Sequence, residues 1–192
     1  MDHSEPSVDR DRPSPGLAAL IARAERAGQG APPVERWHPA ACGDIDMVIH
    51  ADGSWSHEGS PIGRPALVRL FSSVLRKDED GETYLVTPVE KMRIRVEDAA
   101  FAAVEMARDE EAGEPVLTFR TNVGDVVVAD ARHRLRFETG EGGFVPYLQV
   151  RGRLEARLTR ALAYELADQI EEDDRGRAFV RSRGARFDLP HA

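Results

Sequence analysis

The chain has 192 residues, with 26 Lys and Arg against 34 Asp and Glu, so its formal net charge is -8. That length allows one large domain or two small ones. The acidic balance argues against nucleic acid as a partner, because phosphate binding needs a basic surface. No apolar run reaches the roughly 18 residues that a membrane-spanning helix needs. The single cysteine, Cys42, excludes an internal disulfide framework and a Cys-based zinc site.

The N-terminal part divides into two segments. Residues 1–15 are polar and interrupted by three prolines, which predicts disorder and no secretory signal. Residues 16–30 have an apolar stripe at helical spacing, which predicts an N-terminal helix. Without a signal or a membrane span, we expect a cytoplasmic protein.

The next segment alternates between apolar and polar residues. Residues 44–50 predict a half-buried strand with Ile45, Met47 and Ile49 toward the core. Asp52-Gly53 is typical of a two-residue type I′ turn, so residues 54–58 are the predicted return strand. A helix over residues 65–76 and strands over 83–87 and 91–97 complete the first half.

The second half repeats this theme. Strands are predicted over residues 101–106, 116–120, 125–129, 133–138 and 145–150, and a long helix over residues 153–171. Residues 44–75 align with residues 125–162, which indicates an internal repeat. The predicted fold is α+β, with two related strand–strand–helix units that have mostly antiparallel sheets, plus the N-terminal helix. The predicted units are residues 16–100 and 101–192.

A series of motifs gives the chain a family resemblance. The motifs are Pro-Val-Glu-Arg-Trp from Pro33, Asp-Gly-Ser-Trp from Asp52, Pro-Ile-Gly-Arg from Pro61 and Thr-Pro-Val-Glu-Lys from Thr87. In these the sequence resembles a bacterial family, domain of unknown function 1285. The resemblance implies an α+β fold of two similar halves in the bacterial cytoplasm, with no established activity. A suggested ligand-binding or signalling role also comes with it, but no catalytic residues do.

The predicted hairpin suggests a site. A two-residue loop would pair His50 with Trp55 and Val48 with His57, so that Asp46, His50, Trp55 and His57 share one face. An aromatic ring beside hydrogen-bonding groups suits a small-molecule site. The alternative is a metal-dependent enzyme that uses His50, His57 and Asp46, since two imidazoles and a carboxylate can hold zinc or iron. A solvated strand face would explain the pattern equally.

Further candidates lie on loops and basic ladders. The turn at residues 87–91 is a connection of the kind that often carries function. Lys91, Arg93 and Arg95 share one predicted strand face, and Arg132, Arg134 and Arg136 another. Arg64 and Arg153 begin the two predicted helices, where a cation opposes the helix dipole unless a bound anion or an internal carboxylate offsets it. The candidate ligand-binding residues are therefore Trp37, Asp46, His50, Trp55, His57, Arg64, Thr87, Glu90 and Lys91.

The motifs that would identify a reaction are missing. The sequence has neither a phosphate-binding loop with its lysine nor a dinucleotide fingerprint nor a Gly-x-Ser-x-Gly elbow, so we expect no cofactor. We therefore favour a non-enzymatic, regulatory or signalling module that binds a small, anionic molecule or a protein. A structural adaptor is a further alternative. The oligomeric state stays open.

Overall fold

The computed structural model describes residues 32–140 and 143–190. These residues form a mostly-β α+β fold with two six-stranded sheets, one three-stranded sheet and two short α-helices. The predicted disordered segment of residues 1–15 and the predicted helix of residues 16–30 lie outside the described residues. A 3-10 helix, Val34–Arg36, begins the described part.

The first sheet contains six strands and one helix between the third and the fourth. The strand order is β3-β2-β1-β6-β5-β4, and β1 and β6 are parallel at the centre. The elements are β1 Ala41–Ile49, β2 Trp55–His57, β3 Ser60–Pro61, α1 Pro65–Ser73, β4 Leu75–Lys77, β5 Thr83–Val86 and β6 Glu90–Val96.

Helix α1 begins as the sequence predicts and ends early. Pro65 occupies the start of the helix, where its missing N–H needs no partner. The helix ends at Ser73, and Leu75 then pairs with Leu85 of β5. The predicted extension of this helix to residue 76 is therefore wrong, because those last residues form strand β4.

The second sheet has the same arrangement around a parallel central pair. Its order is β10-β11-β12-β7-β8-β9, and β12 and β7 are parallel. The elements are β7 Phe101–Glu111, β8 Glu114–Thr121, β9 Val126–Val128, β10 Leu135–Gly140, β11 Gly143–Arg151, β12 Leu154–Leu158 and α2 Arg160–Ala167.

The long helix predicted over residues 153–171 is wrong. Leu154, Ala156 and Leu158 are buried while the residues between them are half-buried, which is the alternation of strand β12. Helix α2 begins only after Thr159, whose side-chain oxygen accepts the N–H of Leu162. The chain then enters the third sheet, which the sequence analysis did not predict: β13 Ile170–Glu172, β14 Ala178–Ser182 and β15 Ala185–Asp188.

The two large sheets share one core. Buried side chains of both belong to a single apolar cluster that includes Phe71, Phe101 and Phe119. Neither helix among the described residues has the length and composition of a membrane span.

The predicted α+β class and the two related halves are confirmed, but the predicted repeat unit is not. Each unit is a mixed six-stranded sheet rather than a strand–strand–helix motif. The strand order makes β1 equivalent to β7 and β6 to β12, so the predicted alignment of residues 44–75 with 125–162 is wrong.

Candidate functional site

The hairpin between β1 and β2 has a different register from the predicted one. Met47 lies opposite His57, Val48 opposite Ser56 and Ile49 opposite Trp55. The N–H of Gly53 donates to the carbonyl of His50 at 2.9 Å, and the N–H of His50 donates to Ser54 at 2.9 Å. The loop is therefore a three-residue one over residues 51–53, closed by Gly53 at φ 84°.

This one-residue shift separates the predicted site residues, because it moves every side chain of β2 to the opposite face. Trp55 is 2% exposed and stacks on Phe71 with a ring separation of 6.2 Å. His57, opposite Met47, is 8% exposed. Trp55 and His57 thus lie on the core side of the first sheet, and the predicted polar face that joins them to His50 is wrong.

His50 lies on the other face of the sheet with Ser56. Its Nε2 is 2.9 Å from Ser56 Oγ, and its Nδ1 is 3.1 Å from Glu97 Oε1. Glu97 also accepts the backbone N–H of Ala51, and that bond together with His50 lowers the pKa of the Glu97 carboxyl. This network joins the end of β1 to the end of β6.

The predicted metal site does not form. His50 and His57 lie on opposite faces of β1 and β2, and Asp46 is exposed. Within residues 32–140 and 143–190, no group of three His, Cys, Asp or Glu side chains is placed to hold a metal ion. The metal-dependent enzyme that uses these three residues is therefore not supported by the geometry.

The other candidate residues are spread along the first sheet. Thr87 is fully buried, and its hydroxyl accepts the N–H of Glu90 at 3.2 Å across the β5–β6 turn. Arg64 precedes helix α1. The carbonyl of Trp37 accepts a hydrogen bond of 2.7 Å from Arg76. Thr87 and Trp37 thus take part in internal hydrogen bonds, and a ligand-binding role for these residues stays a prediction.

Lys91 belongs to a charged cluster on β4, β5 and β6. Its Nζ is 2.9 Å from Asp78 and 4.2 Å from the centre of the Tyr84 ring. Asp78 also accepts from Arg76; burial alone would raise the pKa of Asp78, but the bonds from Arg76 and Lys91 lower it. Internal carboxylates therefore satisfy this part of the basic ladder, as Asp44 does for Arg93 at 2.7 Å.

A cleft lies between the two large sheets, away from the predicted hairpin site. Its volume is about 590 Å³. One wall comes from β1, β4, β5 and β6, and the other from the start of β12 and the connection between the sheets. The residues that line it are Asp44, Ile45, Lys77, Gly81, Glu82, Thr83, Arg93, Ile94, Arg95, Val96, Asp98, Ala99, Ala100, Arg153, Leu154 and Glu155. We name it the interface cleft.

Most acids of the interface cleft are already neutralised. Asp44 pairs with Arg93 at 2.7 Å. Asp98 pairs with Arg157 at 2.6 Å and also accepts the hydroxyl of Tyr147 at 2.9 Å. Glu155 pairs with Arg136 at 2.8 Å. The negative charges of Asp98 and Glu155 are thus balanced by Arg157 and Arg136, two arginines that do not themselves line the cleft.

Two cations of the interface cleft lack such a partner. Neither Lys77 nor Arg95 forms a side-chain hydrogen bond or ion pair with the described part of the chain. The charge of Arg95 contributes a little to the lowered pKa of the Glu97 carboxyl. Arg153 pairs only with Glu79, whose side chain is 88% exposed, and such a surface pair is weak. Glu82 is the one lining acid without an ion pair among the described residues.

Lys77 lies opposite Thr83, which lies opposite the buried Ile94, so Lys77 is on the core face of the first sheet and Arg95 is on the other face. On the core face, Lys77 and the weakly paired Arg153 are therefore the lining cations available to a ligand.

Sequence reasoning found Arg95 and Arg153 as cations but not as parts of one site. Arg153 does not begin a helix; it lies in the turn between β11 and β12. None of the nine predicted ligand-binding residues lines the interface cleft. No sequence pattern marked Lys77 as a candidate, because it is placed beside Thr83 in this wall only by the pairing of β4 with β5.

Comparisons with known proteins agree with this architecture. A family described as "Domain of unknown function (DUF1285), N-terminal domain" matches residues 32–99, and "Protein of unknown function (DUF1285), C-terminal domain" matches residues 100–189. No curated protein matches the chain.

Two solved structures are similar to this chain. A DUF1285 family protein from Silicibacter pomeroyi DSS-3 is 44% identical with a TM-score of 0.80, covering 89% of this chain and 93% of its own. A DUF1285 family protein from Shewanella baltica OS155 is 28% identical with a TM-score of 0.51, covering 65% of this chain and 91% of its own. The family models span most of the sequence, and the resemblance in its motifs is confirmed: this chain belongs to the DUF1285 family.

Proposed function

We propose that this protein is a small-molecule-binding module whose ligand is a small anion held in the interface cleft. The observation that carries the proposal is Lys77, which lines this cleft without an ion-pair partner among the described residues, beside Arg153, whose pair with the exposed Glu79 is weak. A ligand phosphate or carboxylate would supply the missing partner.

The size and chemistry of the cleft support this assignment. A volume of about 590 Å³ falls within the range of roughly 300–1,000 Å³ that small-molecule sites occupy. An arginine guanidinium can bind a carboxylate or phosphate through two parallel hydrogen bonds, and a lysine can add a point charge. Ile45 and Val96, which are only partly buried, offer an apolar surface for the uncharged part of the ligand.

The position of the cleft supports a regulatory role. One wall belongs to the first sheet and the other to the second, so a bound ligand would connect them. A ligand that binds one arrangement of two units more tightly than another shifts the population toward that arrangement. Such a shift is a means by which a small molecule can control contacts with a protein partner.

Thermal unfolding of the full chain with a ligand panel tests the proposal. The panel contains inorganic phosphate, nucleotides, dicarboxylates and phosphorylated metabolites. A ligand at one hundred times its Kd stabilises the native state by about 2.7 kcal/mol, which raises the Tm by roughly 5–10 °C for a protein of this size. We expect Lys77→Ala and Arg153→Ala to abolish the shift and to leave the Tm without ligand unchanged.

The control is Arg108→Ala, which removes an exposed arginine of β7 outside the cleft lining. This variant should respond to the ligand as the unmodified protein does. If no panel member raises the Tm, or if both cleft variants keep the full response, the proposal fails. A response lost in His50→Ala but kept in Lys77→Ala would instead place the ligand at the network of His50, Ser56 and Glu97.

A further inference from the structure

A serine, a histidine and a glutamate form a hydrogen-bonded chain on the face of the first sheet that lies opposite its core side. Ser56 Oγ is 2.9 Å from His50 Nε2, and His50 Nδ1 is 3.1 Å from Glu97 Oε1. His50 and Ser56 belong to the β1–β2 hairpin, and Glu97 directly follows β6. The pairing of the strands therefore brings together side chains that are 47 positions apart in the sequence. We name these three residues the serine network.

The carboxylate of the serine network determines which ring nitrogen of His50 carries the proton. Hydrogen bonds from the backbone N–H of Ala51 and from His50 lower the pKa of the Glu97 carboxyl, so Glu97 is ionised at neutral pH and can only accept hydrogen bonds. His50 Nδ1 is therefore the donor to Glu97. In the neutral ring Nε2 then has a free lone pair, which accepts the hydroxyl hydrogen of Ser56.

This arrangement is the one that a serine nucleophile needs. A serine hydroxyl attacks an acyl group efficiently when a neighbouring base takes its proton. A carboxylate on the far ring nitrogen holds the imidazole in the required tautomer and stabilises the imidazolium that forms. Ser56, His50 and Glu97 have the contacts of the nucleophile, the base and the carboxylate respectively.

Two other histidines of the described residues lie beside a carboxylate but lack the serine. His57 Nδ1 is 4.0 Å from Glu58, and His133 Nδ1 is 3.2 Å from Asp130. Within the part of the chain that the structure describes, neither of these rings forms a hydrogen bond with a hydroxyl group. The pairing of a histidine with a carboxylate thus recurs in this protein, whereas the added serine distinguishes His50.

The surroundings of Ser56 favour a small substrate. Ser56 is 7% exposed, whereas the side chains of His50 and Glu97 are 35% and 39% exposed, so only a small group can reach the hydroxyl. Arg95 lies on the same face, in register with Val48, which is itself opposite Ser56. The charge of Arg95 acts on Glu97, and a cation on this face also stabilises negative charge that develops on an acyl oxygen.

We propose that Ser56 is a nucleophile for acyl transfer from small esters, with His50 as the general base and Glu97 as the residue that positions His50. Ser56 Oγ bonds to the acyl carbon while its proton passes to His50 Nε2. The bond from that carbon to the leaving oxygen then breaks, and the proton goes to the departing alcohol.

Water completes the reaction by attacking the acyl group on Ser56. His50 takes a proton from the water and returns it to Ser56 Oγ as the bond between Oγ and the acyl carbon breaks. The products are a carboxylic acid and the free serine. Lys77 lies on the opposite face of the first sheet, so this proposal does not depend on the ligand of the interface cleft.

Labelling of the full chain with a fluorophosphonate tests the proposal, because this reagent phosphonylates serines that a base has activated. Peptide mass spectrometry locates the adduct, and intact mass measures its rate of formation. We expect an adduct on Ser56 that Ser56→Ala abolishes and that His50→Ala slows by about 10²–10⁴-fold, the usual contribution of a general base. His133→Ala, which removes a histidine that pairs with a carboxylate but not with a serine, should leave the labelling rate unchanged.

Hydrolysis of p-nitrophenyl acetate separates the positioning role of Glu97 from a role in folding. Glu97→Gln keeps an acceptor for the N–H of Ala51 but removes the charge beside His50. We expect kcat to fall by about tenfold or more and KM to stay unchanged, because the neutral amide no longer stabilises the imidazolium. Ser56→Ala measures the background hydrolysis by other side chains, and circular dichroism shows that each variant is folded.

The unmodified protein alone can overturn the proposal, since the absence of an adduct on Ser56 needs no variant that folds. A labelling rate that survives His50→Ala would also overturn it. If Glu97→Gln lowers the Tm but leaves kcat unchanged, the serine network only connects β1 to β6, and the proposed roles are wrong.

Discussion

The first and second sheets have one strand order but place their helices differently. Each sheet has a parallel pair at its centre, formed by the first and the last strand of the unit, with antiparallel strands on both sides. In the first sheet, helix α1 lies in the connection between the third and fourth strands. In the second, that connection is a short turn over residues 129–134, and helix α2 follows the last strand instead.

This difference indicates that the strand order does not depend on a helix between the third and fourth strands of the unit. In the second sheet the connection is held by Asp130, whose carboxylate accepts the N–H groups of Arg132 and His133 at 2.8 Å each. A side-chain turn of this kind replaces a helical turn as a local device for redirecting the chain. The hairpins and the central pair are the shared part of the two units.

The helices contribute most clearly through burial, which gives the largest expected effect. Phe71 of α1 and Leu166 of α2 are both fully buried. Phe71→Ala should lower the free energy of unfolding by about 3–5 kcal/mol and Leu166→Ala by about 2–5 kcal/mol, since each leaves a cavity. Denaturant unfolding followed by circular dichroism measures both.

The same experiment tests whether the two sheets unfold together. Because their buried side chains form one cluster, we expect a single transition in both variants. Two separated transitions in either variant would contradict a shared core. Tyr164→Ala, at an exposed position of α2, is the control and should change the free energy by no more than about 0.5 kcal/mol.

A second contrast concerns arginines at the outer strands. Arg76 on β4 is 8% exposed and donates to the carbonyls of Val34 and Trp37 at 2.8 and 2.7 Å. Arg136 on β10 is exposed and pairs with Glu155 and Glu138. Arg76→Ala should cost about 3–5 kcal/mol, because it leaves buried acceptors and Asp78 without their donor. Arg136→Ala should cost less than about 1 kcal/mol.

Urea unfolding of the two arginine variants checks this contrast. Equal losses would show that the contacts to Val34 and Trp37 contribute little, and that the segment before β1 is not fixed through Arg76. Arg76→Lys is the matched variant: it keeps the charge beside Asp78 but not the several donors of the guanidinium, so we expect an intermediate loss.

Local patterns predicted most strands, because alternation of apolar residues depends on each strand's own environment. They failed where the same spacing of apolar residues fits both a helix and a strand, as in β12. Leu154 and Leu158 are spaced for a helix, but Ala156 between them is also buried, which only a strand explains. Thr159 could have indicated the true start of the helix, because a threonine at the N-cap position limits the helix to the residues after it.

The hairpin register failed for a related reason. Asp-Gly favours a two-residue turn, but the carboxylate of Asp52 accepts the N–H of Ser54 at 2.9 Å and extends the loop to include Ala51. Asp80 does the same for Glu82 at 2.9 Å in the β4–β5 turn. The interface cleft was beyond any local pattern, because Lys77 and Arg153 line one cleft only after both sheets form.

These two equivalent loops allow a smaller, sharper test. Gly53 and Gly81 have φ values of 84° and 85°, so alanine at either should cost about 1–2 kcal/mol. Gly53→Ala should cost more, because its Cβ would lie 3.1 Å from Nδ2 of Asn122 in the turn between β8 and β9, whereas nothing lies within 4 Å at Gly81. Gly63→Ala, at ordinary φ and in open space, is the control. A larger loss for Gly81→Ala would contradict this contact between the units.

The smallest expected effect compares one tyrosine from each sheet. The hydrogen bond to Asp80, with burial, raises the pKa of Tyr84 to about 12. Burial, with the hydrogen bond to Asp98, raises the pKa of Tyr147 to about 12. Because both values exceed the ordinary 10.0, the stability these groups contribute is present below pH 10 and is lost as the pH rises through 12.

A tyrosinate absorbance titration separates the two causes. Asp80→Asn should return most of the Tyr84 ionisation toward pH 10, because its hydrogen bond is the main cause of the shift. Asp98→Asn should move Tyr147 less, because burial remains. Tyr84→Phe and Tyr147→Phe assign the two signals, and circular dichroism of the same samples confirms that the protein stays folded. Equal responses to the two Asn variants would mean that one mechanism acts in both sheets, so that equivalent topology extends to the environment of their tyrosines.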